Sequence, residues 1–157
     1  MVLTGSTGTL RTSIFHALLS TASVRHMFCL NRSADGGRAA QHDQFVSARF
    51  DTEVLNNSSH VAFLHANLAE PILGLSPKMY DMLRSRVALI AHNAWPANFD
   101  LPLLSFQPQL AGPANLLTLA VTALPQPVRT VFISSIGDVA SLGPAEVFSL
   151  QNPRPTS

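Results

Sequence analysis

The residues best placed to do chemistry stand at the start of the chain. Thr4-Gly5-Ser6-Thr7-Gly8-Thr9-Leu10-Arg11 follows the apolar Met1-Val2-Leu3 and precedes Ile14, Phe15, Leu18 and Leu19, which recur at helical spacing. A strand that turns tightly through glycines into a helix presents bare backbone N–H groups at a helix N-terminus, where the helix dipole also favours negative charge. That is chemistry for holding phosphate. Gly5 and Gly8 fit the first two glycines of the T-G-x-x-G-x-x-G form of this turn, and Arg11 stands where the third would be. A glycine there lets the helix pack closely on the strand, so the arginine predicts a shifted helix or a side chain swung toward solvent or phosphate.

A second position follows from the first. The β-rich run Val24 to Leu30 delivers Asn31-Arg32 into the polar stretch Ser33-Ala34-Asp35-Gly36-Gly37. An acidic residue at the end of the second strand would accept from a ribose 2′-OH and select NAD. Arg32 instead offers a planar guanidinium suited to a 2′-phosphate, which predicts NADP(H), with a solvated surface arginine as the plain alternative.

The elements needed to position these groups can be read along the chain. Arg38 to Phe50 predicts a helix, Val61 to Leu64 a third strand, Lys78 to Arg84 a short helix, Val87 to Ala91 a fourth strand, Gly112 to Ala123 a helix and Val128 to Ile133 a fifth strand. Alternation of this kind predicts an α/β fold, a parallel sheet with helices on both faces. One partial nucleotide-binding domain over residues 1–145 is expected, with a disordered tail at 146–157.

Composition narrows the function classes. The 157 residues suit one domain, and a net charge of +1 with 10 Lys and Arg leaves little material for a nucleic-acid surface. No run approaches the roughly 20 apolar residues of a bilayer span. Cys29 cannot form an internal disulfide and lies in an apolar run, so a buried thiol in a reducing, cytoplasmic setting is expected. The 12% charged content is low for a soluble surface and hints that part of it meets more protein. The six histidines show no metal-binding spacing, so no metal is expected.

Four blocks occur in order: Val2-Leu3-Thr4-Gly5-Ser6-Thr7-Gly8, Cys29-Leu30-Asn31-Arg32, His92-Asn93-Ala94-Trp95-Pro96-Ala97-Asn98-Phe99, and Val131-Phe132-Ile133-Ser134-Ser135-Ile136. Together they resemble the extended short-chain dehydrogenases, and specifically the terminal reductase domains of fungal non-ribosomal-peptide-synthetase-like and polyketide enzymes, including carboxylic acid reductases. The likeness spans roughly residues 1–140 and implies a Rossmann-type fold, here apparently truncated after the fifth strand. It also implies NADPH-dependent reductive release of an acyl thioester from a carrier protein, or reduction of a small-molecule acid or aldehyde. Carried over by position, Gly5, Ser6, Thr7, Gly8, Thr9 and Leu10 would line the pyrophosphate and Arg32 would meet the 2′-phosphate. Asn67 would lie near the adenine, Ala94 and Trp95 beside the ribose, and Ser135 would be the catalytic hydroxyl, hydrogen-bonding the reacting carbonyl. Asn115 reads as a structural helix residue.

Such reductases also use a tyrosine as proton donor, with a lysine four residues later. No such pair follows Ser135. The single tyrosine, Tyr80, precedes the fourth strand and reads as a packing or surface residue. Met1 stands three residues before Thr4, so the first strand also reads as clipped at its start; both ends read as truncated and the isolated chain is expected to be inactive, the alternative being a non-catalytic NADP-binding sensor or regulator.

Overall fold

The computed structural model describes residues 1–7, 9–94 and 107–133. Five strands form one sheet in the order β3-β2-β1-β4-β5: β1 Val2–Thr4, β2 Met27–Asn31, β3 Val61–His65, β4 Leu89–His92 and β5 Arg129–Phe132. All four pairings are parallel. The helices are α1 Thr9–Leu19, α2 Arg38–Ser47, α3 Pro77–Arg86 and α4 Gln107–Thr122, with 3₁₀ turns at Glu53–Asn56 and Pro71–Gly74.

Side chains alternate across the sheet and feed two cores. Val2, Phe28, Leu30 and Ile90 pack with Leu83 of α3 and Leu116 and Leu119 of α4. Leu3, Met27, Cys29 and Ala91 point the other way, with Phe15 of α1 and Phe45 of α2, whose rings meet edge-on at 5.7 Å. β1, the middle strand, is fully buried, as apolar runs covered on both faces must be. This is the expected Rossmann-like α/β sheet with helices on both faces.

The boundaries differ in instructive ways. β2 starts at Met27, and Val24 is buried in the turn before it, held by its amide on the Thr21 carbonyl. α2 stops at Ser47 because Arg49 adopts φ 58°, outside the right-handed helix, while Phe50 still folds back to stack on His16. α4 begins at Gln107, earlier than Gly112, and carries Pro113 inside it, where the ring removes one backbone donor without ending the helix. α3 starts at Pro77, capped by the Ser76 hydroxyl accepting from the Met79 amide.

Candidate nucleotide-binding groove

β1 pairs with β2 on one side and with β4 on the other, so the connections leaving these strands diverge. In open parallel sheets this divergence opens a crevice beyond the carboxyl ends of the strands. Here it holds a groove of about 590 Å³ whose lining includes Gly5, Thr7, Arg11, Asn31, Arg32, Ser33, Asn67, Leu68, His92, Ala94 and Gly112. Its size suits a dinucleotide-class ligand.

The glycine turn forms one wall. Gly5 has φ +64°, and a Cβ added there would lie 2.7–2.8 Å from backbone atoms of Asn93 and Ala94, so the turn can press against the end of β4 only without a side chain. Ser6 is fully buried and its hydroxyl accepts from Asn31 Nδ2 at 3.1 Å, bracing the turn on the end of β2. Behind it Cys29 is buried; burial pushes its thiol well above the usual range, and the Ser6 hydroxyl only partly opposes this. Thr9 and Leu10 fall in the first turn of α1.

The second wall is the loop after β2. Asn31 spends both amide hydrogens on structure, donating to Ser6 Oγ and to the Gly36 carbonyl at 2.7 Å. The Ser33 carbonyl accepts from the Gly36 amide and lies 3.0 Å from His65 Nδ1. Asp35 turns away to cap α2, its two oxygens accepting from the Gly37 and Ala39 amides at 2.9 and 2.8 Å, which holds its carboxyl below the usual carboxylate value. Exposed Arg32 therefore sits on a braced loop, and the lining includes no carboxylate among the described residues.

The third wall joins β3 to α4. Asn67 Nδ2 donates to Glu70 Oε1 at 2.7 Å, and Asn115 Nδ2 donates to the Leu68 and Glu70 carbonyls at 2.9 and 3.0 Å, tying this loop to α4. Asn115 is thus structural, as expected. At the back of the groove Thr4 and His92 face each other across adjacent strands, Oγ1 2.7 Å from Nδ1. Thr4 Oγ1 also accepts from the Asn93 amide at 3.2 Å, so one hydroxyl bridges β1 to both His92 and the residue after it. Nε2 is buried and has no partner among the described residues, and desolvation lowers the imidazole pKa.

Of the residues singled out from sequence, the groove brings together Gly5, Thr7, Arg32, Asn67 and Ala94. Gly8, Trp95 and Ser135 lie outside the described residues. Tyr80 is half-buried on α3 and lines a separate hollow with Ile72, Arg84 and Asn115. The Thr4–His92 pair and the Asn31 struts were not anticipated; polar residues closing apolar strands were the available signal. Among the described residues no three His, Cys, Asp or Glu side chains gather as a metal site, and no helix is long and apolar enough to cross a membrane.

Comparison with known proteins agrees with this geometry. The model of the NAD-binding family described as male sterility protein matches residues 3–151. A carboxylic acid reductase of Neurospora crassa is 36% identical over 139 residues, 88% of this chain but 13% of that protein. An adenylate-forming reductase of Serpula lacrymans var. lacrymans is 35% identical over 87% of the chain, again 13% of the relative. The non-reducing polyketide synthase pkiA of Emericella nidulans is 34% identical over 93% of the chain and 6% of its own length. Among solved structures, the terminal R domain of the myxalamid PKS-NRPS pathway superposes with TM-score 0.71 at 25% identity, over 86% of this chain and 34% of that one. The reductase domain of a non-ribosomal peptide synthetase from Mycobacterium tuberculosis gives TM-score 0.70 at 28% identity, over 92% and 35%. The chain belongs to the NAD-binding male sterility protein family, within the branch that holds fungal carboxylic acid reductases and the R domains of peptide and polyketide synthases.

Proposed function

We propose that this chain is the NADP(H)-binding part of a thioester or carboxylic acid reductase domain, acting in reductive release of a carrier-bound acyl group as aldehyde or alcohol. One observation carries the cofactor reading: the crevice at the strand divergence holds Arg32 on a braced loop, while Asp35, the nearest carboxylate along the chain, is committed to capping α2. Among the described lining residues a ribose 2′-OH finds no carboxylate acceptor, whereas a 2′-phosphate finds a guanidinium. The turn amides after Gly5 and the start of α1 would take the pyrophosphate, and Asn67 and Leu68 would flank the adenine. Bound NADPH would supply the hydride. Ser135, by position, would hydrogen-bond the carbonyl that receives it.

Titration with NADP⁺ and NAD⁺ tests the reading. NADP⁺ is expected to bind the tighter, and Arg32→Ala to weaken it roughly tenfold or more with little change for NAD⁺; equal losses for both would remove Arg32 from the role. Residues 1–157 contain no Tyr-x-x-x-Lys, and Tyr80 lies away from the groove, so these residues by themselves supply no proton donor of that kind. The chain alone should therefore oxidise NADPH with an acyl thioester or aldehyde no faster than background, and steady consumption would refute this. A second reading is a non-catalytic NADP-binding regulator, which tight NADP⁺ binding by a stable but inactive chain would support.

A further inference from the structure

The last pair of the β2–β3 ladder sets Asn31 opposite His65. Met27 and Cys29 of β2 and Val61 and Phe63 of β3 face α1 and α2, so by alternation Asn31 and His65 stand side by side on that face, at the carboxyl edge of the sheet where the groove opens. Each reaches the loop that follows β2. Asn31 Nδ2 donates to the Gly36 carbonyl at 2.7 Å. His65 Nδ1 lies 3.0 Å from the Ser33 carbonyl, which can only accept, so the ring hydrogen is on Nδ1 and donates. One cross-strand pair thus grips the loop at two points. At the far grip Gly36 is pressed onto β3, where an added Cβ would come within 2.5 Å of the Leu64 nitrogen. At the near grip stand exposed Arg32 and Ser33, both in the lining of the groove. His65 is itself exposed and belongs to neither core, so its bond to Ser33, rather than packing, ties it to the fold.

Resting on the nucleotide reading above, we infer that His65 is a positioning residue for cofactor selectivity, acting through the Ser33 carbonyl to hold Arg32 where an adenosine 2′-phosphate arrives. A guanidinium on a free loop must be ordered when the ligand binds, at a cost in affinity; a loop already held avoids much of that cost. NAD⁺ carries no 2′-phosphate for Arg32 to read, so it gains little from the grip. Asn31 also braces the glycine turn through Ser6, so its loss would touch both cofactors, whereas the His65 bond ends on the loop.

Calorimetric titration of the full chain with NADP⁺, NAD⁺ and 2′,5′-ADP tests this, using His65→Ala, His65→Asn, Arg32→Ala and the double variant that joins the two alanines. His65→Ala should weaken NADP⁺ and 2′,5′-ADP roughly three- to tenfold and leave NAD⁺ within about twofold. His65→Asn, whose Nδ2 hydrogens stand where Nδ1 did, should restore the wild-type affinity to within about twofold. In the Arg32→Ala background His65→Ala should have no further effect, because it acts through the guanidinium already removed. Equal losses for NADP⁺ and NAD⁺, or full additivity in the double variant, would reduce His65 to a structural support and overturn the inference, as would an asparagine variant as weak as the alanine one. An unchanged NADP⁺ affinity in His65→Ala while Arg32→Ala remains selective would also overturn it, and in that case the nucleotide reading stands without His65. Failure of the wild-type chain to bind any of the three ligands would overturn both.

Discussion

At the scale of single residues, the groove depends on polar side chains whose partners lie far away in sequence. His92 is 3% exposed, bonded to Thr4 and stacked obliquely near Phe132 at 5.2 Å, so the fold holds a neutral imidazole. Desolvation puts its folded-state pKa below the ordinary value of 6.5. Between the two values the unfolded chain binds a proton that the folded chain refuses, so this contribution to stability is complete above about 6.5 and is lost as pH falls toward the folded value. The urea midpoint should therefore drop as pH is lowered through 6.5, and His92→Gln should flatten that drop. Asp35 also has a lowered pKa, but its window opens only below 3.8, whereas the Met1 amine, lowered from 8.0 by burial, adds a loss that begins below 8.0 and is unchanged by the His92 substitution. A His92→Gln profile as steep as the wild type's would show that another group controls this range.

At the scale of elements, two ties set the width of the groove. Asn31 binds the end of β2 to the glycine turn, and Asn115 binds α4 to the loop after β3. Asn115→Ala removes two hydrogen bonds and leaves the Leu68 and Glu70 carbonyls to find water, which should cost about 1–2 kcal/mol of unfolding free energy. On the proposed reading this loop flanks the adenine, so dinucleotide affinity should fall severalfold as well. Denaturant melts and titrations on the same sample check both, and an unaltered affinity would mean that the wall holds without this tie. Gly112 works alongside: a Cβ there would meet Leu68 Cβ at 3.2 Å, so α4 approaches the loop as closely as side-chain packing allows.

For the molecule as a whole, the low charge content has a visible counterpart. Leu117, Val121 and Leu124, at and just beyond the C-terminal half of α4, are 53%, 75% and 73% exposed, and Val131 and Phe132 of β5 are also open. Apolar side chains grouped this way favour contact with further protein. The chain should bind a solvatochromic dye in the native state, and replacing Val121 and Leu124 together with Lys should sharply reduce that signal without changing nucleotide affinity. A native chain that binds no dye would show this face to be covered.

The alternation of apolar runs with glycine and polar breaks was enough by itself to specify the parallel α/β order and a glycine turn between β1 and α1, because these follow from local periodicity and backbone freedom. Element ends were less legible: α2 stops at Ser47 because the backbone turns left-handed at Arg49, and α4 starts before Gly112, neither of which periodicity encodes. Only the tertiary structure decided that Ser6 faces β2, that Asp35 is committed to a helix cap and that Thr4 meets His92. Those pairings join residues up to 88 positions apart, and the strand order that brings them together is a property of the packed sheet.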